Sequence, residues 1–374
     1  MYNPRHGGQT GIIVIGKRYI ADFSLALINR TGAYYVCRDV VDHFAPHFAK
    51  VRYWRGFPKR QPEGLTRKLL GRAMLYELSR FGTLTAFERR RPGGADDLPP
   101  LYFDPLYVLR TRLEARDIVL CHDVGPVTHH DLFDAGVTAL YQHAYNAIRA
   151  AKPGMVFVSE ASRDEFVRLY GTDYRFMKVI PLFVRRALTS GEEQAPPGVT
   201  TPFLLTVGAF ETRKNHRRII AAFEAASLRE KGYSYVLCGP RGNSAAEVQE
   251  LARATPGVHA FGYLSDAEVR WLYRHAAGFV LPSLLEGFGL PPLEAALRGL
   301  ISVVSHEGAQ REAVGEGGIL VDPKSVEDIA RGMRQLIDMP EDEKRSRLIL
   351  VRAHAEALSQ ERYLARWAEL LSTG

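Results

Sequence analysis

The sequence predicts an α/β protein built from two doubly wound domains. Its 374 residues, 46% of them apolar, are enough for two cores of ordinary size. Short β-rich runs alternate with helical patterns throughout the second half, which is typical of a parallel sheet covered by helices on both faces. The first half shows the same alternation less regularly, and these runs fit a second α/β domain.

The elements of the second half have clear boundaries. Asn215 can cap one helix, Ser265 and Glu268 form a capping box before another, and Ser325 can cap a third. The predicted strands are 203–208, 233–239, 258–262, 277–282, 300–305 and 317–322.

The first half contains fewer regular patterns. Within 33–48, Val36, Val40, Val41 and Phe44 share one helical face. The other predicted elements are strands at 18–24, 117–122, 155–159 and 177–183 and a capped helix at 162–171.

These elements divide the chain into units. Residues 1–188 are predicted to form the first domain and 203–354 the second. Residues 189–202 have the composition of a linker, rich in Gly, Pro, Ser, Thr and acids. A final helix at about 355–374 can pack back on the first domain.

The net charge of +7 is unevenly distributed along the chain. Residues 51–91 contain 11 basic and 3 acidic residues. Within them, 67–81 places Leu69, Leu70, Met74, Leu75, Leu78 and Phe81 at helical spacing, with Arg67, Lys68, Arg72 and Arg80 on the other side. Such a helix can lie on an anionic membrane, or it can be a solvated surface helix whose apolar face is in the core. No zinc-finger signature, RNP signature or aromatic-interleaved basic run predicts nucleic-acid binding.

Three isolated cysteines, Cys37, Cys121 and Cys238, indicate neither a disulfide framework nor a zinc site. No apolar run reaches the roughly 18 residues that a membrane-spanning helix needs, and no signal peptide is recognisable. These features predict a cytoplasmic protein.

Two glutamates, Glu286 and Glu294, flank the sequence GFGLPPL after the strand at 277–282. Ligands of open parallel sheets bind at the carboxyl ends of the strands, where Glu286 falls. A helix starting near Leu290 would leave the amides of Phe288, Gly289 and Leu290 free to meet an anion, and Gly287 and Gly289 would let it approach closely. Two carboxylates beside an anion site could each accept hydrogen bonds from a diol, one on the sugar and one on the ribose. This arrangement suits a nucleotide sugar.

Two further loops are predicted at the same edge of the sheet. After Gly208, Arg213 and Lys214 are adjacent cations that would repel one another unless an anion or water lies between them, and a bound pyrophosphate would supply that anion. After the next strand, Gly239 and Arg241 could form a wall of the base pocket.

The segments VGAFETRKN, GYLSDAEVRWLYRHAAGFVLPSLLEGFGLPPLEAALRG and GGILVDPKSVEDIARGM resemble glycosyltransferase family 4, the retaining GT-B enzymes, over about 203–340. CHDVGPV and FVSEASRDEFVRLYG resemble the N-terminal domain of that family over 117–182. The resemblance implies the GT-B fold, in which two Rossmann-like domains face a central cleft. It also implies transfer of a hexose from a nucleotide sugar. Within the family, the chain resembles the bacterial polysaccharide mannosyltransferases, which makes GDP-mannose the expected donor.

The resemblance also implies a role for each matching residue. Arg213 and Lys214 would hold the donor diphosphate, Glu286 the donor sugar and Glu294 the ribose. His122, followed by Asp123, would be the active-site histidine. Arg311 and Glu312 follow a loop where family members approach the sugar and nucleotide.

Three positions depart from the family pattern. The family usually has a glycine-rich turn after the first strand, whereas in this chain Gly32 stands beside Arg30 and Thr31. Ala209 replaces a residue that is often basic, and 298–301 reads RGLI instead of Gly-x-Pro-Val. The phosphate grip would then rest on Arg213 and Lys214.

The expected reaction is attack by an acceptor hydroxyl on the same face of the anomeric carbon from which the nucleotide diphosphate leaves. The acceptor would be a lipid-linked or oligosaccharide intermediate. No Asp-x-Asp motif is present, no cofactor is expected, and metal-independent turnover is predicted. Alternatives are a non-transferring GT-B enzyme such as a nucleotide-sugar epimerase, or a non-catalytic nucleotide-sugar-binding subunit. A NAD-dependent dehydrogenase is not favoured, because no G-x-G-x-x-G follows any predicted strand.

Overall fold

A computed structural model describes residues 18–28, 32–80, 97–184 and 191–373. The predicted positions Arg30, Thr31 and Phe81 lie outside these residues, as do 82–91 of the basic region and the first two residues of the predicted linker.

Two parallel six-stranded sheets organise these residues, one in each half of the chain. The first has the order β2-β1-β3-β4-β5-β6 and the second β12-β11-β10-β7-β8-β9. The strands of the first are β1 (Tyr19–Asp22), β2 (Phe48–Arg52), β3 (Pro100–Tyr102), β4 (Ile118–Cys121), β5 (Gly154–Phe157) and β6 (Phe176–Val179). Those of the second are β7 (Phe203–Val207), β8 (Ser234–Cys238), β9 (Val258–Phe261), β10 (Gly278–Leu281), β11 (Ser302–Ser305) and β12 (Ile319–Val321).

Helices connect the strands of both sheets. In the first half they are α1 (Gly32–His43), α2 (Gly64–Ser79), α3 (Gly125–Thr128), α4 (Ala135–Ala151) and α5 (Glu160–Tyr170). In the second half they are α6 (His216–Ala225), α7 (Ala245–Ala254), α8 (Asp266–His275), α9 (Leu290–Leu297), α10 (Ala309–Val314), α11 (Val326–Ile337), α12 (Glu341–Ala357) and α13 (Gln360–Thr373).

All six strands predicted in the second half are present, whereas β2 and β3 were not predicted. The sequence of β2, FAKVR, combines two cations with few β-branched residues, and β3 has only three residues and begins with a proline. β2 tolerates its charges because it lies at the edge of the sheet.

The final helix, α13, packs on the first domain although it follows the second in the chain. Trp367 is buried in the first core, its ring centroid lies 6.4 Å from that of Phe103, and the Tyr363 hydroxyl donates to the carbonyl of Val36. The chain therefore crosses between the domains twice.

Apolar side chains join the two domains. Phe288, Leu293, Ala296 and Ala313 of the second half belong to the same buried cluster as the core of the first. This contact places the carboxyl ends of the two sheets opposite each other, with cavities between them.

The basic helix α2 lies differently from the sequence prediction. It packs through Gly71, Met74 and Leu78, and Arg67 on the packed side donates to the carbonyl of Leu27. The apolar residues Leu65, Leu69, Leu70, Leu75 and Tyr76 are instead exposed. Of the two alternatives for this helix, the one that places its apolar face in the core is wrong for Leu69, Leu70 and Leu75, because the helix contacts the domain through one narrow face. The alternative of a membrane contact stays a prediction. Within the described ranges, no helix has the length and apolarity needed to span a bilayer.

Candidate active site

A buried carboxylate lies between two cations at the carboxyl end of the second sheet. The two Glu286 oxygens have different partners: Oε1 pairs with Lys214 Nζ, and Oε2 lies 3.2 Å from Nη1 of Arg213. The Ser283 hydroxyl also donates to Oε1 at 2.8 Å. The side chains of Lys214 and Glu286 are 7% and 8% exposed, so water screens this pair little.

The loop after β7 is fixed by Asn215, which the sequence suggested as a helix cap. Asn215 has a left-handed backbone (φ 64°), and its side chain makes no capping bond. Its amide group donates instead to the carbonyls of Pro282 and Pro323, at 3.0 and 2.6 Å. This side chain ties the loops after β7, β10 and β12 together, which brings Lys214 to Glu286.

The anion between Arg213 and Lys214 belongs to the protein itself. Glu286 contacts both cations, and Glu211 Oε2 lies 2.7 Å from Nε of Arg213. The sequence argument invoked a bound pyrophosphate for this purpose and did not foresee that Glu286 is within reach. A diphosphate would have to share these cations with the two carboxylates.

The surroundings of Glu286 keep it ionised. Burial alone would raise its pKa, but the attraction of Lys214 and Arg213 outweighs burial and holds the pKa below its ordinary value. The ion pairs therefore persist at neutral pH.

Glu294 lies on α9 in a different environment. Its Oε2 accepts a hydrogen bond of 2.9 Å from the Tyr273 hydroxyl. Burial raises the pKa of Glu294 to about 7, although Tyr273 and the charges of Arg298 and Lys214 act in the opposite direction. Glu286 and Glu294 thus have separate hydrogen-bond partners, and Glu294 binds its proton more tightly than an ordinary glutamate.

The loops after β7 and β8 are closely packed. The Gly208 amide donates to the carbonyl of Cys238 at 2.9 Å, and a Cβ atom on Gly239 would lie 2.0 Å from the Gly208 carbonyl oxygen. Arg241 is exposed, and its backbone bridges to Phe210. These residues line the rim on the β8 side of the cation pair.

His122 lies on the first domain, at the end of β4. It lines an interdomain cavity of about 490 Å³ together with Asp123, Arg213 and Asn243. Its Nε2 is 3.0 Å from the Phe103 carbonyl oxygen, which can only accept, so Nε2 carries a proton. This bond holds the ring at the cavity wall.

The segment 286–290, which we call the donor loop, connects the second domain to the first. A Cβ atom on Gly287 would lie 2.4 Å from the His122 carbonyl oxygen, so only glycine fits at that position. Gly289 has a φ of 113°, and α9 begins at Leu290 with Pro291 and Pro292 in its first turn. Within the described part of the chain, the amides of Phe288 and Gly289 make no hydrogen bond.

The residues that depart from the family pattern have structural partners. A Cβ atom on Gly32 would lie 2.7 Å from the Leu290 side chain. The Ala209 carbonyl accepts from Nε2 of His216 at 3.1 Å, and Arg298 lies 3.8 Å from Glu193.

Glu312, which follows the loop where the resemblance implies an approach to the sugar and nucleotide, contacts the first domain. Its carboxylate accepts hydrogen bonds from the amides of Glu160 and Ala161 at the start of α5 in the other domain, while Arg311 is exposed. The free amides of the α5 N-terminus attract the carboxylate.

Sequence reasoning missed several residues that shape this site. Gln310 is buried and joins the ends of β10 and β11, since its Oε1 accepts from the amides of Ser283 and Ser305. The helix predicted at 162–171 begins at Glu160, and Ser159 is its N-cap. The serine followed by Glu160 in SEASRDEF is a signal that could have located this cap.

Comparison with known proteins gives these features a family context. Residues 192–349 match the family described as glycosyl transferases group 1. A stretch of 251 residues is 28% identical to O-antigen chain mannosyltransferase B of Escherichia coli, covering 63% of this chain and 64% of that protein. The chain thus spans slightly less than two thirds of the length of this relative.

Two solved structures resemble the whole fold. Sucrose-phosphate synthase from Thermosynechococcus elongatus has a TM-score of 0.68 at 16% identity, over 95% of this chain and 98% of that chain. WaaG, a glycosyltransferase involved in lipopolysaccharide biosynthesis, has a TM-score of 0.61 at 16% identity, over 95% and 99%. The predicted GT-B fold is confirmed. The residues that match the group 1 glycosyltransferase family, 192–349, include all six strands of the second sheet.

We expect the buried pair of Glu286 and Lys214 to contribute more to stability than an exposed pair. Glu286→Gln leaves Arg213 and Lys214 with one neighbouring carboxylate, that of Glu211. This change should lower the free energy of unfolding by about 3 kcal/mol. Lys214→Met should cost less because Arg213 still neutralises Glu286, and the double variant should cost less than the sum of the single variants. Urea unfolding measures all three.

The matched control is the exposed pair of Lys231 and Asp338, whose nitrogen and oxygen lie 2.7 Å apart. Its coupling should stay below about 1 kcal/mol. Equal coupling in the two pairs would show that burial does not strengthen the pair of Glu286 and Lys214.

Glu294 should make stability depend on pH. Its pKa of about 7 in the folded protein exceeds the ordinary value of a glutamate, so the folded state binds the proton more tightly than the unfolded state. Stability should therefore fall as pH rises from about 5 to 7, by on the order of 2 kcal/mol. Urea unfolding at several pH values should show this decrease in the wild type and its loss in Glu294→Gln. The exposed control Glu250→Gln should follow the wild type, and parallel profiles for all three proteins would refute the assignment.

Proposed function

We propose that this protein, which carries a group 1 glycosyltransferase domain within a GT-B fold, is a retaining hexosyltransferase. It moves a hexose, best assigned as mannose from GDP-mannose, to a hydroxyl group of a lipid-linked or oligosaccharide acceptor in surface polysaccharide biosynthesis. The observation that carries the proposal is the buried cluster of Arg213, Lys214 and Glu286, of which Arg213 lines the interdomain cavity together with His122.

The two cations serve the leaving group. As the bond between the anomeric carbon and the diphosphate oxygen breaks, negative charge grows on the diphosphate. Arg213 and Lys214 are already held by Glu286 and by the loop around Asn215, so they need little rearrangement to stabilise that charge. Because they take the place of a divalent ion, turnover proceeds without metal.

The acceptor proton needs no dedicated side-chain base. In this mechanism the acceptor oxygen bonds to the anomeric carbon on the face that the diphosphate leaves, and the proton passes to a diphosphate oxygen. His122 orients the donor sugar from the opposite wall, where its bond to Phe103 fixes the ring. Glu294 of α9 accepts a hydrogen bond from a hydroxyl group of the donor ribose.

The sugar assignment rests on the relatives. The E. coli protein with 28% identity is named as a mannosyltransferase of the O-antigen chain. Nucleotide sugars of this kind are cytoplasmic, so we place the protein in the cytoplasm, at the inner face of the cytoplasmic membrane.

Helix α2 supplies the contact with that membrane. Leu65, Leu69 and Tyr76 are 72%, 56% and 59% exposed and lie within one face, and Lys68 and Arg72 are exposed beside them. Exposed apolar side chains flanked by cations fit the interface of an anionic bilayer. We therefore assign the peripheral contact within 51–91 to this helix.

Replacing Arg213 should separate transfer from folding. Arg213→Ala should lower kcat for mannosyl transfer from GDP-mannose by on the order of a hundredfold, because one cation facing the diphosphate is lost. Arg217→Ala is the control, since that side chain is 78% exposed on α6. Both proteins should keep the wild-type unfolding midpoint within a few degrees. Wild-type kcat in Arg213→Ala would remove this residue from the mechanism, and no transfer from any GDP-, UDP-, TDP- or ADP-sugar by the wild type would refute the function.

Membrane contact should depend on the exposed face of α2. The variant Leu65→Ser/Leu69→Ser/Tyr76→Ser should bind phosphatidylglycerol-containing vesicles at least about tenfold more weakly than the wild type, because it loses apolar area that enters the interface. Co-sedimentation measures the binding. Ile349→Ser/Leu350→Ser removes exposed apolar residues of α12 and should bind like the wild type. Equal loss in both variants would show non-specific adhesion, and equal binding to phosphatidylcholine would exclude a role for the cations.

A further inference from the structure

The start of α5 contacts the donor loop of the other domain through two buried serines. The Ser159 hydroxyl lies 2.8 Å from the Gly287 carbonyl oxygen. The Ser162 hydroxyl lies 3.1 Å from the same oxygen and 3.0 Å from the carbonyl oxygen of His122. The serines are 0% and 4% exposed, so these contacts replace water as partners of both carbonyls.

The protons of the two hydroxyls are enough for both carbonyls, and the Ser159 hydroxyl also lies 2.8 Å from that of Ser162. Each hydroxyl has one proton, and the Ser162 amide donates to the Ser159 oxygen at 3.1 Å. Ser159 can then donate to Gly287 and Ser162 to His122. The two serines thereby hold the active-site histidine segment and the donor loop in one hydrogen-bonded group.

Because the serines fix the Gly287 carbonyl, they also fix the direction of the Phe288 amide. The peptide unit between Gly287 and Phe288 is planar and trans, so its N–H points opposite to its carbonyl. The Phe288 ring is buried in the apolar cluster shared by the domains, which anchors the other end of the unit. No residue in the described ranges accepts a hydrogen bond from the Phe288 amide. The direction of this N–H is therefore fixed, and the N–H is available to a ligand.

Glu312 makes the reciprocal contact from the second domain. Its carboxylate receives the amide of Glu160 at 2.9 Å and that of Ala161. The first turn of α5 is thus completed by Ser159 from its own domain and by Glu312 from the other. The full set of contacts forms only when the domains are together.

We propose that Ser159 and Ser162 are positioning residues of the transferase, and that with Glu312 they form an interdomain clasp. The clasp aims the Phe288 amide at a hydroxyl oxygen of the donor sugar when the domains close. This inference rests on the proposed function, because it assigns the serines a role in that reaction. The cations and Glu294 lie in the second domain alone, so they bind the nucleotide without the clasp. The clasp acts on domain closure and on the transfer step that follows it.

The test compares Ser159→Ala/Ser162→Ala and Glu312→Gln with the wild type as full chains. With GDP-mannose as donor, both variants should lose at least about tenfold in kcat. Their Kd for GDP should stay within about twofold of the wild type, because the nucleotide contacts are intact. Small-angle X-ray scattering in the presence of GDP should show a larger radius of gyration. Ser265→Ala removes the N-cap of α8 away from the interface and controls for the loss of a cap.

The outcomes are distinguishable. Wild-type kcat in the serine double variant would overturn the positioning role, even if the scattering profile changed. An equal loss of kcat in Ser265→Ala would show general destabilisation and would also overturn the positioning role. A loss of GDP affinity in the clasp variants that matches their loss of kcat would do the same. If the wild type transfers no sugar, the proposed function fails, and an unchanged scattering profile in the clasp variants then overturns the clasp separately. If the double variant does not fold, Glu312→Gln, which keeps the size of the side chain, decides.

Discussion

The candidate site depends on one buried carboxylate shared by two cations. Glu286 is taken out of water and must be neutralised, since an unpaired charge at such a position is strongly unfavourable. Lys214 and Arg213 meet that need, and the loops that carry them are held by Asn215. The same attraction holds both cations at the carboxyl end of the second sheet. The three side chains therefore stabilise the loops after β7 and β10 together.

This arrangement gives the two glutamates around the donor loop different physical roles. Glu286 is ionised because cations surround it, whereas Glu294 has only a tyrosine hydroxyl in direct contact and a pKa of about 7. Eight positions apart on the chain, one lies in the loop and the other a turn into α9. A helix start thus separates a carboxylate whose pKa is lowered by cations from one whose pKa is raised by burial.

The domain interface joins the site to the rest of the molecule. Phe288 anchors the donor loop in an apolar cluster of the other domain, while Gly287 packs directly on the backbone of His122. Polar contacts through Ser159 and Glu312 complete the interface. A loop that carries ligand-binding groups is in this way shaped by the opposite domain as well as by its own sheet.

Much of this architecture was readable from the sequence because its signals are local. The strands of the second sheet are short apolar runs, and the Ser265 capping box lies within four residues, so both predictions succeed. The edge strand β2 was not predicted, and the direction of the apolar face of α2 stayed open between two alternatives, because burial depends on which neighbours an element meets. Asn215 shows the same limit: its type fits a helix cap, but distant carbonyls of Pro282 and Pro323 bind it instead. The sequence by itself determined the order of the elements and the types of residue at the strand ends. Only the tertiary structure decided that Glu286 neutralises the two cations and that Ser159 and Ser162 reach Gly287, because these contacts join residues more than 70 positions apart, beyond the range of any local pattern.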